Sequence, residues 1–311
     1  MCQPLIKDEC LYLKVPGSTS NLGPGFDSIG LAINRYLHVK IEPSTEWSFH
    51  YIDFDDRFPS GKDNMIYQTI EEIERKYGKG KEPRPFAVTM TSELPLERGL
   101  GSSAAAIVAA VEIANYAMEL GLTLEEKVQI ATVFEGHADN VAASLYGGLI
   151  IAAGQEGLDT ISHKVMDLEM VALIPNHKLK TTDSRSVLPN MLPYQEAVEA
   201  SSIANLFIGA ALQNNWKLAG ELMARDLFHQ PYRKHLVPDL EQVHEFAISH
   251  GGYGAALSGA GPTLIVFAPS GSSEYLQQSL AKRFPIYQCE VLHPTSTGIE
   301  VTVGAYENQS I

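Results

Sequence analysis

Positive charge is scarce in this sequence. Lysine and arginine together number 23 against 37 aspartates and glutamates in 311 residues, a net charge of −14. That balance argues against nucleic acid or an anionic membrane surface as partner, because both need a basic footprint. A phosphate would have to be held locally, by backbone dipoles, a few cationic side chains or a metal ion. Cysteine is scarcer still: Cys2, Cys10 and Cys289 form no CxxC pair and no zinc spacing. An odd count without a framework is expected of a reducing, cytoplasmic compartment. The N-terminal stretch MCQPLIKDEC carries acidic residues and no apolar core, so no signal peptide is expected there. No uninterrupted apolar run is long enough to cross a bilayer.

Hydrophobic residues make up 45% and charged residues 19%, an ordinary globular balance. The length suggests about two domains. In the first half, Leu11–Val15 and Leu37–Ile41 alternate as strands, with the turn-rich PGSTSNLGPGFDSIG between them. A polar loop (53–64), a helix from Asn64 or Met65 to Tyr77 and a strand at Phe86–Met90 follow. SSAAAIVAAVEIANYAMEL reads as a helix ending at Gly121, apolar nearly all round and therefore buried. Thr123 with Glu126 predicts a capping box for the next helix, which runs into HADNVAASLYGGLIIA, a helix or loop and then a strand.

A second unit opens near Val171 with the strand VALIP and an irregular segment holding Thr181, Arg185 and two prolines. Helices dominate residues 194–226 and 238–250. The end alternates as strand GAAL, turn SGAGP, strand TLIVFA, helix SSEYLQQSLAKRF and strands YQCEVL and IEVTV. That order suggests an α+β domain of ferredoxin-like type. There is no internal repeat.

The stretch PLERGLGSSAAA, Pro95–Ala106, joins an extended segment to the long helix. Gly99-Leu100-Gly101-Ser102-Ser103-Ala104 matches the dinucleotide pattern G-x-G-x-x-A. That pattern needs its first glycine directly after a strand and an acidic residue about 20 positions on. Here SELPLER intervenes and the chain stays helical, which disfavours a nucleotide-dependent dehydrogenase. No lysine follows Gly101, so the loop is no Walker A either. What remains is a lysine-free glycine loop entering a helix N-terminus, whose N–H groups and dipole suit phosphate oxygens. A tightly packed helix start would carry the same residues.

Read together, PGSTSNLGPGFDSIG, PLERGLGSSAA and LSGAGPT resemble the GHMP small-molecule kinases, and HADNVAASLYGG with HQPYR is similar to the homoserine kinase family within them. The resemblance covers most of the chain. It implies a two-domain α+β fold, an N-terminal ATP-binding domain (1–168) with a left-handed βαβ crossover and a ferredoxin-like C-terminal domain (169–311). It implies MgATP-dependent phosphorylation of the hydroxyl of L-homoserine, on the route to threonine, with no dedicated catalytic base. The ATP loop would comprise Pro95, Leu96, Glu97, Arg98, Gly99, Leu100, Gly101, Ser102, Ser103, Ala104 and Ala105. Ser102 and Glu135 would be the magnesium ligands; some relatives place their glutamate further upstream, where this chain has Gln129.

The substrate positions implied are Asn21, Asp27, His137, Asn140, Thr181, Arg185, Arg233 and Gly259, with Asp27, Asn140 and Arg185 nearest the chemistry. Asp27 would hold the hydroxyl or the ammonium, and the arginines the carboxylate, which a guanidinium grips with two parallel bonds. Asp139 is a lesser candidate for a base, and Gly259 and Gly261 are expected to permit close backbone approach. Taken singly, NLGPGFD is also a plain turn, His137 an ordinary structural histidine, and each arginine a surface or structural one. Kinases of mevalonate, galactose or shikimate type are the alternative, whereas a catalytically silent binding module is disfavoured because every glycine of the ATP loop is present. Dimers occur in the family, so a homodimer is a further expectation.

Overall fold

The computed structural model describes residues 9–52, 58–154, 158–165 and 167–305; Cys2 lies outside them. The first half runs β1 (Glu9–Ser20), β2 (Ile29–Pro43), β3 (Ser48–Tyr51), α1 (Met65–Tyr77), β4 (Phe86–Ser92), α2 (Ser102–Ala117), α3 (Leu124–Glu135), α4 (Ala138–Tyr146), β5 (Leu149–Ala153) and β6 (Asp159–His163). The second half runs β7 (Leu168–Pro175), α5 (Thr181–Ser186), α6 (Tyr194–Leu212), α7 (Trp216–Met223), α8 (Gln230–Arg233), α9 (Leu240–Ser249), β8 (Gly254–Leu257), β9 (Leu264–Pro269), α10 (Ser273–Arg283), β10 (Tyr287–Leu292) and β11 (Glu300–Ala305).

β1 is longer than its alternating stretch suggests. It continues past Pro16, where the register against β2 shifts by a bulge at Pro16/Gly17. Proline has no N–H to give a ladder, so the break falls where pairing is weakest. Beyond it Ser18, Thr19 and Ser20 are all buried. Hydroxyls there need internal partners, and those partners build the site described below.

The larger sheet has the order β11-β1-β2-β4-β3, with β5 on β2 and β6 on β5. Among the described residues its only parallel pair is β3 with β4, joined through α1. This is the one described βαβ unit to which the expectation of a left-handed crossover applies. The remaining pairs are antiparallel, which removes the doubly wound parallel sheet that a dinucleotide fold requires. α2 is buried along most of its length, as its all-round apolar surface requires. α3 begins with the predicted capping box: Glu126 N donates to Thr123 Oγ1 at 3.2 Å, and Thr123 N donates to Glu126 Oε2 at 2.8 Å. Thr123→Ala should therefore cost about 1 kcal/mol of stability. An unchanged midpoint in thermal or urea unfolding would mean that this end of α3 frays in solution.

The smaller sheet is antiparallel with the order β10-β7-β9-β8. α5 to α9 connect β7 to β8, and α10 connects β9 to β10. That is the βαββαβ arrangement of a ferredoxin-like unit. Two readings change. The segment around Thr181 and Arg185 is the short helix α5. The strand IEVTV leaves the second unit: β11 pairs antiparallel with β1, Glu9 opposite Ala305 and Lys14 opposite Glu300. Its alternation fits either sheet, and only the available edge of β1 selects one. The C-terminal strand thus does not follow a division of the chain at residues 168/169.

Candidate active site

The three glycine-rich segments meet at one point, and their glycines are there because backbone presses on backbone. Gly99 and Gly101 have φ of +78° and +75°, a region that favours glycine. A Cβ on Gly101 would lie 2.4 Å from Ser18 Oγ and 2.8 Å from Ser18 N; one on Gly99 would lie 2.3 Å from the Ser258 carbonyl oxygen. Ser18 N donates to Leu100 O at 3.2 Å, and Gly259 N donates to Ser20 O at 3.1 Å. The Ser258 hydroxyl donates to Gly99 O at 2.6 Å and lies 2.8 Å from Thr19 Oγ1. Ser18 and Thr19 thus join the phosphate-type loop to the SGAGP turn. Gly101 therefore serves packing against Ser18 as well as lining the cavity.

Beside this junction lies a cavity of about 820 Å³. One region is formed by Gly99, Gly101, Ser102 and Ser103 at the start of α2. No side chain caps α2, so its first N–H groups remain available to an anion. Leu96 and Glu97 also line the wall. The other loop residues do other work. Leu100, Ala104 and Ala105 are core, and Pro95 is outside the lining. Arg98 turns away and ties the loop to the end of β7, donating to Pro175 O at 2.8 Å and Asn176 O at 2.6 Å. Leu37, Met90 and the stacked pair Tyr51 and Phe58 add an apolar wall suited to a planar ring.

Glu135, at the end of α3, reaches the same cavity, whereas Gln129 is exposed on α3. Ser103 Oγ donates to Glu135 Oε2 at 3.2 Å, so Ser103 rather than Ser102 is the hydroxyl paired with it. Burial raises the Glu135 carboxyl above its ordinary range, and His137 opposes that shift. These oxygens and the hydroxyl of Ser102 are the donor type that a hard cation takes. Asp27, His137 and Asp139 form a second group, with ligand atoms within 4.8 Å of one another.

All eight expected substrate positions line the cavity. Asn21, left-handed at φ +68°, uses both ends of its amide on the frame: Nδ2 donates to Gly259 O at 2.9 Å, and Oδ1 accepts from Asp27 N at 3.0 Å. Asp27 meets Arg185 in a two-pronged pair, at 2.5 and 3.1 Å. Thr181 lies one turn before Arg185 on α5. Asn140 is buried and engaged: Nδ2 donates to Ser20 Oγ at 2.9 Å and Asp139 Oδ1 at 3.1 Å, and Oδ1 accepts from Ser18 Oγ at 2.8 Å. Its position in the geometry is that of a brace. His137 Nδ1 lies 2.6 Å from Asp139 Oδ1. Burial would lower the His137 pKa, but the adjoining Asp139 carboxylate outweighs it and the net shift is upward.

Arg233 is 1% exposed. Its Nε donates to Ser184 O at 3.0 Å, and Nη1 to Gly259 O at 3.2 Å and to His229 Nδ1 at 3.1 Å. Burial, then the neighbouring Arg185, lowers its pKa to about 10, so it stays cationic at neutral pH. Both guanidiniums lie over the ring of Phe26, Arg185 at 5.4 Å and Arg233 at 5.5 Å from its centroid. Sequence reasoning missed Phe26, Ser18, Ser20 and His229. Each lies inside a quoted motif, yet no local pattern distinguishes a buried serine that holds another residue from a turn serine.

The family models agree with this architecture. GHMP kinases N terminal domain matches residues 64–148, and GHMP kinases C terminal matches residues 207–286. A homoserine kinase of Bacillus licheniformis is 46% identical over 296 residues, covering 94% of this chain and 96% of the relative. That of Halalkalibacterium halodurans is 46% identical over 292 residues, 93% and 94% of the two chains. The crystal structure of homoserine kinase from Cytophaga hutchinsonii superposes with a TM-score of 0.83 at 25% identity, covering 97% of this chain and all of that one. Lactococcus lactis galactokinase, at 14% identity, shares the fold alone, with a TM-score of 0.72 over 94% and 95%. With the motifs, their meeting point and near full-length identity in agreement, the chain belongs to the homoserine kinase family of the GHMP kinases.

Proposed function

We propose that this chain transfers the γ-phosphoryl group of ATP to the terminal hydroxyl of L-homoserine, giving O-phospho-L-homoserine on the route to threonine. The observation that carries this reading is one continuous cavity with two unlike regions. One has an uncapped helix N-terminus beside glycine backbone; the other has the Asp27 carboxylate with the Arg185 and Arg233 guanidiniums. Homoserine carries the matching groups: an ammonium for Asp27, a carboxylate for the arginines and a hydroxyl directed at the phosphate region.

The residues present fit a magnesium–triphosphate group. The α2 N–H groups and Ser102 would cradle phosphate oxygens, and Glu135 with Ser102 or Ser103 would supply the cation's oxygen ligands. ATP supplies the phosphoryl group, and the cation offsets charge on its oxygens. The chain's part is positioning and charge stabilisation. The hydroxyl oxygen of homoserine forms the new bond to the γ-phosphorus, the bond to the β–γ bridging oxygen breaks with ADP as leaving group, and the hydroxyl proton passes to a transferred phosphoryl oxygen and on to water. A loose transition state makes a strong base dispensable. Asn140 acts through Ser18 and Ser20 by holding the wall, and Asn21 holds the turn that presents Asp27.

No described helix is long and apolar enough to cross a membrane. A cytoplasmic enzyme, assembled as a homodimer, belongs to the same proposal. A coupled ADP-release assay over homoserine, mevalonate, galactose and shikimate tests the activity. Homoserine should exceed the others in kcat/KM by about a hundredfold or more. Equal or faster turnover of any of the other three would reject homoserine as the substrate.

A further inference from the structure

His229 stands behind Arg233, outside the cavity lining, and is fully buried. Its two ring nitrogens have different neighbours. Nδ1 lies 3.1 Å from Arg233 Nη1. Arginine only donates, so Nδ1 must be the acceptor and carry no proton. Nε2 lies 2.8 Å from the Gly23 carbonyl oxygen, which only accepts. The proton of the neutral ring therefore sits on Nε2. The Phe26 ring stacks on the imidazole at 5.2 Å between centroids and 21° between planes.

Every neighbouring element contributes to this arrangement. On the α7–α8 link, Asp226 Oδ2 lies 3.4 Å from Nε2. That oxygen already accepts the backbone N–H groups of His229 at 3.1 Å and Gln230 at 2.7 Å. On α8 stands the Arg233 cation. On the β1–β2 turn, Asp27 acts at longer range on both groups. On α5, Arg185 raises the local positive potential at Arg233. A proton added at Nδ1 would remove the acceptor for Arg233 and set one cation directly against another.

We propose that His229 is a positioning residue for substrate recognition: as the neutral Nε2–H tautomer it bridges the Gly23 turn to Arg233 and aims that guanidinium at the cavity. Arg233 Nε and Nη1 are engaged with Ser184 O, Gly259 O and His229, and its two Nη2 donors lie outside these contacts. The device rests on the homoserine reading above, since it acts on the substrate carboxylate through Arg233. Burial first, and then the Arg233 cation, hold the His229 pKa below the ordinary histidine value, with Asp226 opposing. The neutral form therefore persists through neutral pH. As pH falls below the unfolded-state value near 6.5, the unfolded chain takes up this proton first, and the stability held by the neutral ring begins to fall.

Two variants separate aiming from packing. In His229→Asn the amide oxygen can stand near the place of Nδ1 and still accept from Arg233. In His229→Gln the amide reaches toward Gly23 and leaves Arg233 without its acceptor. His229→Gln should raise the homoserine KM about tenfold with the ATP KM unchanged, and His229→Asn should recover most of that loss. Nitrogen-15 spectra of histidine-labelled wild-type protein, assigned by the signal missing in a variant, should show Nε2 protonated and Nδ1 bare at pH 7, with the ring titrating below the ordinary histidine value. An Nδ1–H tautomer, an ordinary titration near pH 6.5, or equal KM changes in both variants would overturn the proposal. The spectra need no substrate. A wild-type protein that shows the tautomer but does not turn over homoserine would reject the substrate, and with it the aiming role.

Discussion

Arg185→Ala and Arg233→Ala should each lower kcat/KM for homoserine by roughly ten- to a hundredfold, the factor for losing one charge-assisted partner. Only Arg233→Ala should also lower the melting temperature. The Arg185 side chain is 36% exposed and its ion-pair partner Asp27 is 35% exposed, so water can replace the lost partner. Arg233 is 1% exposed and holds the carbonyls of Ser184 and Gly259 together with His229. Truncation there removes the Arg233 donor from the Ser184 carbonyl and from His229 Nδ1, while Gly259 O keeps Asn21 Nδ2; each buried acceptor left unpaired costs about 1–3 kcal/mol, and the unfolding midpoint should fall by several degrees. Arg185 is therefore the cleaner probe of substrate contact. Paired with 3-aminopropan-1-ol, which is homoserine without its carboxylate, it closes a cycle of two enzymes and two substrates. If the guanidinium holds the carboxylate, the two losses report one contact and do not add. Full additivity would remove Arg185 from the carboxylate site.

Gly101→Val should abolish turnover and destabilise the fold together. Valine at φ +75° is strained by about 1–3 kcal/mol. Its Cβ would also meet Ser18 N at 2.8 Å and Ser18 Oγ at 2.4 Å, in contact with backbone that cannot swing away. Overpacking of this kind typically costs about 1–3 kcal/mol more. Because Ser18 also holds Asn140, the displacement should reach the opposite wall of the cavity. A coupled ADP-release assay and a thermal scan check both effects. A variant with wild-type melting and normal ATP turnover would show that the loop does not pack on β1 in solution.

Much of the architecture is written locally. Thr123 and Glu126 sit three residues apart and close their box within a single turn. The apolar surface of α2 requires burial whatever covers it, and the β7-to-β10 order follows from alternating patterns and turns. The glycine motifs were visible as motifs, and every expected substrate position lines the cavity. Loop membership was legible only in part. Arg98 has the charge of a phosphate ligand, yet the carbonyls at the end of β7 take its guanidinium.

By itself, then, the sequence determined whatever depends on neighbours a few residues away: helix caps, strand alternation and the turns that need left-handed glycine. It also determined, through three separated motifs, which family the chain resembles. Tertiary structure alone decided which sheet edge receives β11 and which faces of Gly99 and Gly101 meet backbone. It also decided which nitrogen of His229 keeps its proton. These outcomes depend on groups that lie far apart in sequence, such as Glu9 with Ala305, Gly99 with Ser258 and Gly23 with His229. An edge strand's alternation is the same beside either sheet, and an imidazole's tautomer is set by whichever donor and acceptor the fold places against it.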